Sequence, residues 1–347
     1  MKIAILCTLG PASMDPGVIR GLDERGVDLF RINLSHTPLE AVEETIGFVR
    51  SCSDTPICLD TEGPQVRCGR MASEVVLVEG ARVSLTAELV EGTQDSLPLW
   101  PRSIFDALVP GSVLSVDFDG ASLLVTEVGS GEARAVVRSG GRVRSNKAVT
   151  VDPAPSLPAL SEKDLAAIEI GARWGIGAYA LSFASDAEDV ARLRRLAPEG
   201  AFIIAKIESR AGVRNMDAII AATDAALIDR GDLSREVPLE HVPYYQKAIV
   251  RRANRWNRPV YVATNLLESM VTSQVPTIAE ANDLANTLLD GVHGLVLAAE
   301  TAVGVDPVGS VDMVLRAVRA FERASQSQLL EEDRGPVELP GSRATAR

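Results

Sequence analysis

Positive charge is in short supply in this chain. Lys and Arg number 35 against 47 Asp and Glu, a net charge of −12. That balance argues against nucleic acid as the main partner, because a phosphate backbone needs a basic face. It leaves room for a small anion held in a locally basic cleft. Cysteine is also sparse: Cys7, Cys52, Cys58 and Cys68 form no CxxC pair and show no metal-like spacing with the three histidines. Reduced thiols in a cytoplasmic protein are therefore expected. No apolar run approaches the length of a membrane span, so no membrane partner is expected. The opening Met1–Cys7 is too short for a signal sequence and reads as a first strand. What the chain does have is length for a large core, with 27 Gly and 19 Pro to make many short turns among 347 residues.

The most informative stretch is Ala201–Ser209. Phe202 to Ala205 reads as a strand buried on both faces, and the apolar run then gives way to Lys206 and Glu208. Residues two apart on a strand point the same way, so an ammonium and a carboxylate project together from one strand end. A carboxylate can hold Mg²⁺ through oxygen, and a neighbouring lysine can steady a phosphoryl group in transfer. In isolation such a pair is a strand-end salt bridge. The recurrence of the pattern elsewhere changes its meaning.

In chain order, strands are expected at Ile3–Leu9, Asp28–His36 and Pro56–Thr61, with helices over Pro16–Arg25 and Leu39–Ser51 between them. From about Arg67 the rhythm becomes one of short β-branched runs and Gly turns without helical period, which predicts an inserted β-rich domain over residues 68–153. Ser161 followed by Asp164 is a helix N-terminal signature. Strands then recur at Gly177–Phe183, Phe202–Glu208, Ala225–Asp232, Pro259–Thr264 and Gly294–Glu300, separated by helical stretches. Eight βα units with polar strand ends describe a (β/α)8 TIM barrel with its chemistry at the C-terminal mouth. The barrel should comprise residues 1–67 and 154–330, with 331–347 as a flexible tail. The polar ends that would converge are Arg31, Asn33, Ser35, Asp60, Thr61, Lys206, Glu208, Arg230, Gly231, Asp232, Thr264 and Glu300. Glu208 and Asp232 can share one divalent ion, and Arg31 and Lys206 can hold phosphate. Asn33, Ser35, Asp60 and Thr61 form an oxygen-rich nest suited to a larger monovalent cation.

Read as motifs, these blocks resemble the pyruvate kinase family. The matching segments are Thr8–Ser13, Arg31–His36, Leu59–Arg67, Leu157–Asp164, Ala205–Glu208, Arg230–Leu233, Ala263–Met270, Pro276–Glu280 and Glu300–Ala302, in family order. The resemblance implies transfer of a phosphoryl group between phosphoenolpyruvate, or a related enol phosphate, and ADP/ATP, with Mg²⁺ (or Mn²⁺) and K⁺. It implies Lys206 against the transferring phosphoryl, Glu208 and Asp232 on the divalent metal, Arg31 on the phosphate and Thr264 on the enolate side. Asn33, Ser35, Asp60 and Thr61 would bind K⁺. His36, Arg67 and Lys147 would face nucleotide phosphates, with Asp119 at the edge of a lid formed by the inserted domain. Members of the family usually continue into a C-terminal α/β domain that carries tetramer contacts. This sequence is expected to lack those contacts, leaving a homo-oligomer through the barrel as the alternative.

Several positions depart from the family pattern. The block usually written Ala-Arg-Gly-Asp-Leu-Gly, whose backbone amides receive the substrate carboxylate, here runs from Asp229 to Ser234. Alternation continued through residue 232 would turn Asp229 to the rim, away from Asp232; if it points inward, it would repel a substrate carboxylate or meet Arg230 or a metal. Gln65 stands where K⁺-dependent members usually carry Glu, Glu62 where Lys is common, Asn265-Leu266 for Gln-Met, and Ala298-Ala299 for Ser-Gly. Two other readings compete. One is an enzyme of a specialised pathway acting on a different pyruvate-like substrate, for which Asp229 would be the specificity change. The other is a metal-dependent pyruvate-enolate lyase or aldolase, which has no use for Lys147, Arg67 and His36. A non-catalytic paralogue predicts loss of Lys206, Glu208 or Asp232, and all three are present.

Overall fold

The computed structural model describes residues 2–116, 120–153, 155 and 157–326. Eight parallel strands close into a barrel: β1 (Ala4–Leu9), β2 (Leu29–Asn33), β3 (Ile57–Asp60), β4 (Ala178–Leu181), β5 (Phe202–Lys206), β6 (Ala225–Asp229), β7 (Val260–Ala263) and β8 (Gly294–Leu297). Each pairs with its sequence neighbours, and β8 pairs with β1 to complete the ring. The expected TIM barrel with an inserted β-rich module is the fold.

Strand alternation sorts the side chains into two cores. Ile203 and Ala205 of β5 face the surrounding helices, while Ile204 joins Leu6, Cys58, Ala180, Leu227 and Val296 in a small cluster inside the barrel. The helices begin where side chains can take the free amides. Asp15 accepts from Gly17 and Val18 at the start of the helix Pro16–Glu24, and Ser161 and Asp164 form a reciprocal capping box on Glu162–Arg173. The last helix, Pro307–Gln326, packs against Pro16–Glu24 and Ile278–Leu289. None of the four cysteines is in a disulfide. Among the described residues no helix is long and apolar enough to cross a membrane.

The inserted module is a second closed barrel, made by strands over Val66–Cys68, Arg82–Thr86, Ser96–Trp100, Val113–Val116, Ser122–Gly129, Glu132–Ser139 and Ala148–Asp152. It has its own apolar core around Leu85, Leu97, Leu114 and Leu123. Arg67 pairs with Ala148 and Trp100, so it belongs to this small sheet although the sequence suggests the barrel side of the boundary. Ser96–Trp100 escapes sequence reading because Pro98 interrupts the run. Asp119 and the tail 331–347 lie outside the described residues.

Most barrel strands stop earlier than their sequence suggests, and three of these early ends bear on the site. β5 ends at Lys206, β6 at Asp229 and β8 at Leu297, and short helices begin at Arg230 and Ala299. The second of these corrects the placement of Asp229. Alternation does not run through residue 232, because Arg230–Glu236 is helical. Asp229 instead shares parity with Ala225 and Leu227, both of which face the barrel interior. It points inward.

Candidate active site

The C-terminal ends of β2, β3, β5 and β6 bring Arg31, Asp60, Lys206, Glu208 and Asp229 together, all nearly or fully buried. Arg31 Nη1 lies 3.1 Å from Asp60 Oδ2, and its Nε donates to Thr8 Oγ1 at 2.8 Å. Lys206 Nζ sits 3.2 Å from Glu208 Oε2, 3.5 Å from Asp60 Oδ2 and 3.7 Å from Asp229 Oδ2. The predicted same-face projection of Lys206 and Glu208 therefore holds, although Glu208 lies beyond the strand. Burial alone would pull the Lys206 pKa down, but Asp60, Glu208 and Asp229 outweigh it and hold the ammonium well above its ordinary value. Lys206 is a fixed positive charge.

Ser182, which sequence reading passed over, ties this group together. Its Oγ accepts from Lys206 Nζ at 3.0 Å, lies 3.3 Å from Asp60 Oδ1 and 2.6 Å from the Thr61 carbonyl. The signal was present: β4 is apolar to Leu181, and the next residue is a hydroxyl at the strand end. Thr8 was missed on the same ground. Phe183, in the left-handed region at φ 54°, donates its amide to Glu208 Oε1 at 2.8 Å.

Glu208, Asp229 and Asp232 each bring a carboxylate oxygen to within 4.8 Å of the others. Sequence reading paired only the first and third as ligands. Burial pushes Glu208 up, with the ammonium of Lys206 opposing and Asp232 adding to the rise. Asp232 is raised by burial and by Asp229. Asp229 goes the other way: burial raises it, but Lys206, Arg31 and the Thr264 hydroxyl hold it low. Glu208 Oε2 is buried and makes no hydrogen bond, its one cationic neighbour being the Lys206 ammonium at 3.2 Å. At the rim Arg235 Nη1 meets Asp232 Oδ1 at 3.2 Å.

Thr264 forms the wall on the far side. It is β-branched yet has φ 68°, a conformation held only when its surroundings over-determine it. They do so here: Arg230 donates from Nε and Nη2 to the Thr264 carbonyl at 3.0 and 2.7 Å, and Gly231 N donates to Thr264 Oγ1 at 2.9 Å. The same guanidinium reaches Asp283 at 2.7 Å, so Arg230 does not neutralise Asp229. A cavity of about 940 Å³ opens beside this wall, lined by Gly231, Thr264, Asn265, Glu268, Ala298 and Arg235 among others. Glu300, in the short helix after β8, is buried and accepts from the amides of Leu267 and Ala298, holding the β7 loop.

Asn33 and Asp60 lie opposite each other in the β2–β3 register. Asn33 Oδ1 accepts from Ser35 N at 2.9 Å, and Thr61 Oγ1 accepts from Ser182 N at 2.9 Å. His36 follows in the same turn, with its pKa lowered by burial and by Arg67, so the ring is neutral near pH 7. Arg67 donates to the Asn146 carbonyl at 2.8 Å while its Nε is buried without a partner. Lys147 follows Asn146 in the turn that pairs with Cys68. Glu62 is matched by Lys163 at 3.2 Å, which answers that departure locally. Asp164 accepts from the amides of Glu62 and Gly63, so the helix cap also fixes the loop after β3.

Residues 1–311 match the family model described as pyruvate kinase, barrel domain. The pyruvate kinase of Methylorubrum extorquens is 38% identical over 332 residues, 93% of this chain and 69% of that protein. The Mycobacterium tuberculosis pyruvate kinase is 36% identical over 336 residues, 92% of this chain and 70% of its own length. That of Thermococcus litoralis is 34% identical over 337 residues, 94% and 71%. Likeness of this extent spans the barrel, the inserted sheet and the buried lysine–carboxylate centre alike, and the chain is a pyruvate kinase-like enzyme that belongs to the pyruvate kinase family.

Proposed function

We propose that the enzyme moves a phosphoryl group between phosphoenolpyruvate, or a closely related enol phosphate, and ADP. The phosphorus–oxygen bond to the enol breaks, a bond to the terminal oxygen of ADP forms, and the released enolate takes a proton at carbon to give pyruvate. Lys206 carries this reading. A buried ammonium held positive by three carboxylates is suited to the charge on a phosphoryl group in transfer, where catalysis is mostly positioning and neutralisation. Arg31, anchored by Asp60 and Thr8, offers a second cation from the next wall. The Thr264 hydroxyl lies on the enolate side.

The oxygen-only donor set of Glu208 and Asp232, with a Glu208 Oε2 that makes no hydrogen bond, suits a hard divalent ion such as Mg²⁺ or Mn²⁺. When bound, that ion supplies charge neutralisation for the phosphoryl oxygens. Asn33, Ser35, Asp60 and Thr61 would hold K⁺, supported by the facing positions of Asn33 and Asp60. His36, Arg67 and Lys147 would face the nucleotide phosphates, with the inserted domain as lid; the unused buried Arg67 Nε is a donor available for such a contact. A cytoplasmic setting and phosphoenolpyruvate and ADP as partners go with this reading.

A second reading keeps the chemistry and changes the substrate. It is favoured by the inward Asp229, which adds a negative charge where the substrate carboxylate would lie, and by the cavity bordered by Asn265 and Ala298. A substrate larger or less acidic than phosphoenolpyruvate at that end would fit both. The test is to follow pyruvate and ATP formation from phosphoenolpyruvate and ADP, with and without Mg²⁺ and K⁺. Turnover that needs the divalent ion is expected. No turnover at any metal composition would turn the choice to the second reading.

A further inference from the structure

Asp229 is the carboxylate that the metal pair does not account for. We propose that it is a third anionic ligand of the divalent-metal site, together with Glu208 and Asp232. This rests on reading Glu208 and Asp232 as the metal pair and adds a residue to that pair.

The first ground is geometric. Asp229 has the interior parity of β6, its side chain is 7% exposed, and it offers an oxygen within 4.8 Å of both other carboxylates. Its orientation is set from outside the cluster, since Thr264 Oγ1 lies 2.8 Å from Oδ1. The second ground is the Glu208 oxygen that no donor satisfies. Glu208 Oε2 is fully buried and makes no hydrogen bond, its one cationic neighbour being Lys206 Nζ at 3.2 Å, and Glu208 belongs to the same group. A buried acceptor left unmade is costly, and a cation among the three carboxylates would satisfy it.

Charge points the same way. Three buried carboxylates (Asp60, Glu208 and Asp229) face two buried cations (Arg31 and Lys206), while Asp232 at the rim is met by Arg235. Counted as ionised, these groups leave one negative charge in excess, which a cation among them would offset. A divalent ion turns that single excess negative charge into a single excess positive one. If residue 229 were neutral, the same ion would leave two. Asp229 thus strengthens the hold on the metal and weakens the pull on an anionic substrate. Affinity for a hard cation rises with the number of anionic ligands, so the free enzyme should load its metal before any substrate oxygen is available to complete the shell.

The test is Mn²⁺ binding to the full chain without nucleotide or enol phosphate, read by electron paramagnetic resonance of the free ion and by calorimetry. One Mn²⁺ should bind the wild type. Asp229→Asn, which keeps the shape and an acceptor for Thr264, should bind it at least about tenfold more weakly, a loss of about 1.4 kcal/mol. Asp229→Ala should show a similar loss, and unfolding melts in EDTA should place both variants among folded proteins. Glu208→Gln should lose binding outright. If Asp229→Asn or Asp229→Ala stays folded and binds Mn²⁺ within twofold of wild type while Glu208→Gln does not, Asp229 is no ligand and the two-carboxylate pair stands. If Glu208→Gln and Asp232→Asn both leave binding unchanged, the pair itself is wrong, and the role of Asp229 fails with it.

Discussion

The Thr264 hydroxyl lies 2.8 Å from Asp229 Oδ1 across the ends of adjacent strands. The same hydroxyl oxygen accepts from Gly231 N at 2.9 Å, so the first helical turn after β6 is tied to Thr264. An amide that the family resemblance assigns to the substrate carboxylate is thus already in contact with a protein oxygen. The group expected on the enolate side is joined to a carboxylate that the usual family pattern lacks. The Asp229 carboxylate brings a negative charge to these strand ends, offset by Lys206 at 3.7 Å.

Removing that charge should be visible in substrate binding. Like charges a few ångströms apart in a partly screened cleft repel by a few kcal/mol, on the order of a hundredfold in affinity. Asp229→Ala should therefore tighten phosphoenolpyruvate binding when the metal is kept saturating, as measured by titration of protein fluorescence. Tight binding by the wild type with no gain in the variant would mean that Asp229 does not oppose this substrate.

Lys147 offers a test of the inserted domain. If that domain is the nucleotide lid, Lys147→Ala should raise the KM for ADP several-fold and leave the KM for the enol phosphate within twofold. Unchanged nucleotide KM and kcat in steady-state kinetics would remove Lys147 from the nucleotide site.

Ser182 touches Lys206, Asp60 and Thr61 at once. Ser182→Ala leaves a buried ammonium and a buried carboxylate each short of a partner. Losses of this kind cost about 1–3 kcal/mol, which urea unfolding would detect, and kcat should fall as Lys206 loses its anchor. A variant as stable and as active as wild type would show that Ser182 is not the tie described.

His293 predicts an acid limb in stability. Its pKa is lowered by burial, and its Nδ1 accepts from Val260 N at 3.3 Å, which requires an unprotonated nitrogen. The unfolded chain therefore takes up this proton more readily than the folded one. The contribution is present above the unfolded value of about 6.5 and is lost as pH falls toward the lowered folded value. His293→Gln should flatten the fall of Tm over that window. An identical slope in both proteins would assign the acid limb to other groups.

Much of the architecture was legible because hydrophobic period and caps are local. The apolar runs, the Asp15 cap and the Ser161–Asp164 box place strands and helices without any knowledge of their partners. Polar residues where an apolar run ends pointed to the mouth, and Lys206 and Glu208 are found there. Ser182 carried the same signal, but a single hydroxyl is too common at strand ends to stand out. Ser96–Trp100 hid behind Pro98.

Asp229 shows where local reasoning stops. Every residue of β6 is buried, so composition cannot tell which parity faces the barrel interior and which the helices. The point at which the strand yields to the helix at Arg230 sets that parity, and this depends on contacts from Thr264 and Asp283, more than thirty residues away in sequence. Sequence alone was enough for the barrel, the inserted module and the types of charge at the mouth, since periodicity and residue chemistry are properties of short segments. Which carboxylates share one space, which ammonium they hold positive, and which arginine turns away were decided by closure of the sheet, because only closure brings β2, β3, β5 and β6 to the same few ångströms.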